Sequence, residues 1–174
     1  LLGAMTIVEI IDYFNGFFTI KNFIKTKSKK GLLWIFAILS FILSAIIDNL
    51  TATIVLITIL QKVISKRDTR LWFAGLIIIA ANAGGAWSPI GDVTTTMLWI
   101  GDKVTTMKLI TYVLLPSLVC LVIPVLVASF TKPFQGEVEQ LEEDNSSGYH
   151  KHGAKMLYLG LSAIVFVPVF KTLT

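Results

Sequence analysis

Residues 32–60 form an apolar run of 29 positions in which Asp48 is the only charge. As one helix this run would extend roughly 44 Å, whereas the hydrocarbon core of a bilayer is about 30 Å thick, so a single crossing does not accommodate it. Split at Asp48-Asn49, each arm reaches about 24 Å, a little short of a full span. Two such arms fit a re-entrant hairpin, provided that its tip is buried in protein or lines a watery cavity. The flanks agree. Five lysines and no acid occupy residues 21–30, and Lys62, Lys66, Arg67 and Arg70 follow the run. Positive loops prefer the cytoplasm, which places both flanks inside.

Composition sets the environment. Hydrophobic residues make up 55% of the chain and charged residues 15%, with a mean hydropathy of +0.77, against about 25% charged residues in soluble domains. The chain therefore reads as an all-α polytopic membrane protein. Five apolar stretches and the links between them follow in order: a transmembrane or interfacial helix at 1–20, a basic link at 21–31, the hairpin at 32–64 and a second basic link at 65–70. A broken transmembrane helix at 71–100 comes next, then an uninterrupted span at 107–130, a polar cytoplasmic loop at 131–155 and the start of another span at 156–174. A start at Leu1 and an end at Thr174 inside an apolar stretch predict a fragment, and no signal peptide is visible. The net charge of +4 comes from residues that flank apolar runs instead of forming one face, which argues against a nucleic-acid partner. The single Cys120 excludes an internal disulfide and reads as a small apolar residue facing lipid or a neighbouring helix.

The stretch at 71–100 breaks in its middle. Gly84-Gly85 is expected to loosen the backbone, Pro89 disfavours helix at Ser88, and Asp92 is placed to cap a new half-helix starting at Val93. The expected unwound segment covers 84–92. Such breaks expose carbonyl oxygens at one half-helix end and amides at the other, and transporters use them to hold ions. Carbonyl oxygens suit a small hard cation such as sodium, and Asp48, Asn49, Asn82, Asp92, Thr94 and Thr95 carry side-chain oxygens to complete its shell. Ionisable and amide groups at membrane depth are costly and mark ion or substrate pathways. Asp48 has no evident structural task in an apolar run, whereas Thr94, Thr95 and Thr96 have local carbonyls to bond. Ser44 precedes Asp48 by four residues and shares its face if the first arm stays helical that far.

At this point the residues resemble a known family. SAIIDNLTATIVL at 44–56 and ANAGGAWSPIGDVTT at 81–95, in that order, look like the two signature segments in the first half of NhaD-type sodium/proton antiporters of the ion transporter superfamily, and GAMTIVEIID at 3–12 is similar to the segment before them. The resemblance implies an elevator-type fold with two inverted repeats, of which this chain holds the first, the second being the missing C-terminal repeat. It also implies a homo-oligomer in the inner (plasma) membrane, no cofactor, and sodium or lithium exchanged for protons. By motif it carries the transport positions Ser44, Asp48, Asn49 and Thr51 in the hairpin and Asn82, Asp92, Thr94 and Thr95 at the break.

Sodium favours the charged form of a carboxylate and a proton removes that charge, so the two compete for one group, which is sufficient for exchange. Asp48 and Asp92 are the candidates. Two alternatives stand beside this reading. The same superfamily architecture serves arsenite, citrate and dicarboxylates, although Asp48 at the tip would repel an anion. Intramembrane aspartyl proteases also place two aspartates in membrane helices, one in a Gly-x-Gly-Asp setting, but here a proline replaces the first glycine in the stretch from Pro89 to Asp92. Glu9 and Asp12 form a solvated interfacial pair or a proton entry site, and His150 and His152 lack ligand partners at suitable spacing. Trp99 is expected to anchor the outer interface.

Overall fold

The computed structural model describes residues 28–137, together with Thr6, Ile10, Tyr13, Thr26, Lys155, Leu159 and Ser162. The helix expected at 1–20, most of the first basic link, the polar loop beyond Glu137, the stretch at 156–174 and the residues Glu9, Asp12, His150 and His152 lie outside the described residues. The chain divides into two units, one of Leu1–Lys25 with Glu142–Thr174 and one of Thr26–Leu141. The helices between Lys29 and Ser129 all belong to the second.

That unit is helical: α1 at Lys29–Ile46, α2 at Asn49–Val63, α3 at Arg67–Ala86, α4 at Val93–Ile100, α5 at Thr106–Ser129, and a short 3-10 turn at Lys132–Phe134. The one β-type pairing among the described residues is the bridge between Ser28 and Glu137. Three helices, α1, α3 and α5, are long and apolar enough to cross a membrane. The protein is a multi-pass membrane protein.

Two expected dimensions change. Helix α1 starts at Lys29 and has 18 residues, about 27 Å, while α2 has 15 and reaches about 22 Å, so the arms are unequal. Helix α3 has 20 residues, about 30 Å, and does not unwind at its glycines: it continues through Gly84-Gly85 to Ala86. The break starts at Trp87. The glycines serve a tertiary purpose, because a Cβ on Gly84 would collide with the backbone of Phe41 in α1.

The direction of each helix follows from its contacts. Phe36 meets Phe73 edge-on at 6.5 Å, Gly84 lies against the Phe41 backbone, and Ser88 bonds the Ala45 carbonyl, so α1 and α3 run side by side in the same direction. Helix α2 starts beside Asn82 and ends at the link into α3, so it returns antiparallel to both. The 3-10 turn that follows α5 packs Phe134 on Phe73 at 5.0 Å, which brings the end of α5 back to the start of α3. The unit thus has a base, where α1 and α3 start and α5 ends, and a tip, where α1 gives way to α2 and α3 to α4.

In lipid no hydrophobic force draws helices together, so association relies on close van der Waals packing, which small residues permit. The buried stripe of α1 runs through Leu33, Phe36, Ala37, Ser40, Phe41 and Ser44, at helical spacing. It meets Phe73, Ile77, Ala80, Ala81, Gly84 and Gly85 on α3. Phe36, Phe73 and Phe134 fill the base, while toward the tip the helices meet through small residues with the Phe41–Trp87 pair beside them. Helix α5 contains Pro116 and Pro124 and leaves most of its apolar surface exposed, including Leu115, Ile123 and Val127. Cys120 lies on it, exposed. Trp99 is buried, 7% exposed, and so is no interfacial anchor within this unit.

Candidate functional site

Two interruptions come together at the tip. The first is short: α1 ends at Ile46, and Asp48, in extended backbone at φ −64° and ψ 153°, starts α2. Asp48 Oδ1 accepts from the Thr51 N–H at 2.9 Å and Oδ2 from the Thr51 hydroxyl at 2.6 Å. This corrects the expectation that Asp48 lacks a structural task. It is the N-cap of α2, and a short polar side chain at that position satisfies an amide that the helix itself leaves orphaned.

The second interruption spans Trp87 to Asp92. Asp92 caps α4, as its position predicts, with Oδ1 accepting from the Thr94 N–H at 3.2 Å. Its backbone carbonyl collects the Thr96 N–H at 2.9 Å and the hydroxyls of Thr95 and Thr96 at 2.9 and 2.8 Å. The threonines therefore do bond a local carbonyl.

Asn49 joins the two. Its Nδ2 donates to Asn82 Oδ1 on α3 at 2.9 Å, and its backbone N–H donates to the Gly91 carbonyl in the break at 3.1 Å. Asn82 Nδ2 in turn donates to the Ile78 carbonyl at 2.8 Å, which fixes which way its amide faces. Asn49 thus joins Asn82 on α3 and Gly91, the residue before Asp92, to the turn in which Asp48 bonds Thr51. Thr95 lies half-buried below Asp92, and Thr94 is exposed on α4.

Ser44 does not join them. The helix ends before Asp48, so the two do not share a helical face, and the Ser44 hydroxyl, fully buried, donates to the Ala81 carbonyl at 2.5 Å. It ties α1 to α3. Ser88 makes the converse bond, donating to the Ala45 carbonyl at 2.5 Å from a site 5% exposed. Its function was missed because the signal, a serine held out of the helix by Pro89, says nothing about which distant carbonyl it meets. Gly85 and Gly91 were likewise missed. A Cβ on Gly91 would lie 2.5 Å from the Ser44 carbonyl oxygen and 2.7 Å from Gly85 Cα, so this approach is made of backbone. Trp87 stacks on Phe41 at 6.1 Å, and its buried Nε1 has no hydrogen-bond partner among the described residues.

The ligand atoms available are those that suit a hard cation: carboxylate, amide, hydroxyl and carbonyl oxygens. Among the described residues no group of three or more His, Cys, Asp or Glu is placed to hold a metal ion. The last turn of α3 adds carbonyls at 83–86 that its own helix leaves unpaired.

Comparison with known proteins agrees with this chemistry in kind. The family described as citrate transporter, CitMHS, matches residues 1–173. "Sodium/proton antiporter 1" of Arabidopsis thaliana is 45% identical over the whole chain, "Sodium/proton antiporter 2" of the same plant 42%, and "Na(+)/H(+) antiporter NhaD" of Vibrio cholerae 34% over 98% of it. The chain spans 30%, 42% and 36% of these relatives' own lengths. No solved structure matches it.

Proposed function

The chain belongs to the CitMHS citrate transporter family, a family of transporters and not of enzymes, and from that premise we propose that the intact protein exchanges sodium, with lithium as the alternative cation, for protons across the plasma membrane. The observation that carries this reading is the pair of hydrogen bonds made by Asn49, to Asn82 Oδ1 and to the Gly91 carbonyl, which join the turn that bears Asp48 to the break that bears Asp92. Neutral oxygens alone hold a proton poorly, and carboxylates alone do not distinguish a proton from sodium by charge. A cluster with both has a group on which the two ions compete and a shell that replaces the water sodium gives up.

The roles then follow. Asp48 and Asp92 take either a proton or a share of sodium. Asn49, Asn82 and Thr51 hold the geometry and offer oxygens, Thr94 and Thr95 extend the shell along α4, and Ser44 positions α1 behind it. Helices α1 and α2 form a re-entrant hairpin opening from the cytoplasmic base, and α3 with α4 forms the discontinuous span. Together they are one of two inverted repeats that slide against a scaffold. The common base of α1, α3 and α5 supports the orientation, because its cations then face the cytoplasm.

The test is sodium-induced proton release from vesicles containing the intact protein. Asp48→Asn keeps an oxygen to accept from the Thr51 N–H and removes the charge, with the new amide NH2 donating to the Thr51 hydroxyl in place of accepting from it. Exchange is expected to vanish, and exchange near the unaltered rate would sink the assignment. The family's description as a citrate transporter favours a second reading, transport of a carboxylate anion. Asp48 and Asp92 argue against it by repulsion, and uptake of labelled citrate by the intact protein would decide for it.

A further inference from the structure

The base of the unit gathers charge from parts of the sequence far apart. Lys29 and Lys30 open α1, Lys66, Arg67 and Arg70 surround the start of α3, and Lys132 follows α5. The contacts that bring them together are specific. The Lys29 N–H donates to the Gly136 carbonyl at 3.0 Å, Lys30 Nζ lies 5.8 Å from the centre of the Phe130 ring, and Phe73 packs between Phe36 and Phe134. Among the described residues at this end, two acids stand against these six cations, Asp68 and Glu137, both exposed. At the opposite end Asp48, Asp92 and Asp102 outnumber Lys103 and Lys108. One end is therefore strongly positive.

The same end carries exposed apolar surface directly beside the cations. Phe130 is 71% exposed, Trp72 59% and Val127 61%. A soluble phosphate would use only the charge, whereas an amphiphile with a phosphate head and acyl chains would use both. Aromatic residues next to lysine and arginine are also the pattern of a membrane interface facing an anionic leaflet.

We propose that the basic base, centred on Lys30, Arg67 and Lys132 with Phe130 and Trp72 beside them, binds the headgroup of an anionic phospholipid, whose acyl chains lie along the exposed end of α5. The site depends on the orientation in the membrane and not on the transported ion, and its readout needs no transport, so its failure and that of the exchange reading are separable. It is a fixed contact between three helix ends that the lipid bridges.

The experiment is native mass spectrometry of the intact protein purified with an equal mixture of phosphatidylglycerol and phosphatidylcholine. Each cation near an anionic leaflet contributes about a fivefold gain in affinity. The triple variant Lys30→Gln, Arg67→Gln, Lys132→Gln is therefore expected to retain at least about tenfold less phosphatidylglycerol, with phosphatidylcholine unchanged. The pair Lys103→Gln, Lys108→Gln is expected to retain both lipids as before, and the charge-keeping variant Lys30→Arg, Lys132→Arg to keep phosphatidylglycerol. Undiminished phosphatidylglycerol in the triple variant would overturn the proposal, as would equal loss in the opposite-end pair or loss in the charge-keeping variant. Displacement of the lipid by millimolar inorganic phosphate would also overturn it and assign the cations to a soluble anion.

Discussion

The two interruptions at the tip are built alike and used differently. Each ends one helix and starts the next with an aspartate cap in extended backbone. Asp48 spends both carboxylate oxygens on Thr51, at 2.9 and 2.6 Å. Asp92 uses a single oxygen, at the longer distance of 3.2 Å, and lets its backbone carbonyl collect the threonines instead. One carboxylate is oriented; the other is open. An oriented carboxylate still has lone pairs to offer a cation, since two oxygens provide about four acceptor sites. It offers them from a fixed direction, which suits selection, whereas an open one suits exchange with water.

This contrast is easiest to break by charge. Asp92→Asn retains an oxygen for the Thr94 N–H, so α4 should stay capped, while the open carboxylate disappears. Under the exchange reading proton release should fall at least about tenfold, beyond what a lost cap of about 1 kcal/mol explains. Unchanged release would reduce Asp92 to a cap and leave the hairpin as the sole acidic element of this half.

A smaller effect comes from geometry. Gly91→Ala places a methyl group 2.5 Å from the Ser44 carbonyl oxygen, where only backbone can yield. A loss of about 1–3 kcal/mol is expected, read as a lower melting temperature of the intact protein in detergent. Full stability would mean that the break is not held against α1 as described. Thr51→Val is milder. It removes the hydroxyl bond to Asp48, frees that carboxylate to turn, and should cost about 1 kcal/mol of stability while raising the sodium concentration needed for half-maximal exchange. If sodium dependence does not move, orientation of Asp48 has no part in binding. Gly75→Ala, on the same helix as Gly84, is the smallest. No atom lies within 4 Å of the added carbon, so stability should stay level or rise by up to about 1 kcal/mol. Marked destabilisation there would show that glycine serves α3 through something other than close approach.

Local chemistry in the sequence located Asp92 as a cap and Asp48-Asn49 as an interruption, because caps and charges in apolar runs act on their own neighbourhood. It misjudged the Gly84-Gly85 pair for the same reason. Within its own segment a glycine pair only weakens a helix, and the compensating contact belongs to Phe41, more than forty residues earlier. Ser44 shows the limit from the other side. Its spacing from Asp48 put the two on one face, but the face ends with the helix at Ile46, and the hydroxyl turns to Ala81. Asn49 was legible as a polar residue at the tip, while its partners at Asn82 and Gly91 depend on α3 running parallel to α1, which no local pattern encodes. The expectation of a re-entrant hairpin rests on length and flanking charge alone, and α1 at 18 residues is longer than equal arms would require.

The crossing at Phe41, Gly84, Gly85 and Gly91 consists of main chain on main chain. Side chains elsewhere in a core exchange rotamers and take up small displacements between helices. Apart from the Ser44 hydroxyl, this joint has none to exchange. A shift of the α1 end therefore carries the break with it, because a contact without rotamers passes a displacement on and does not absorb it.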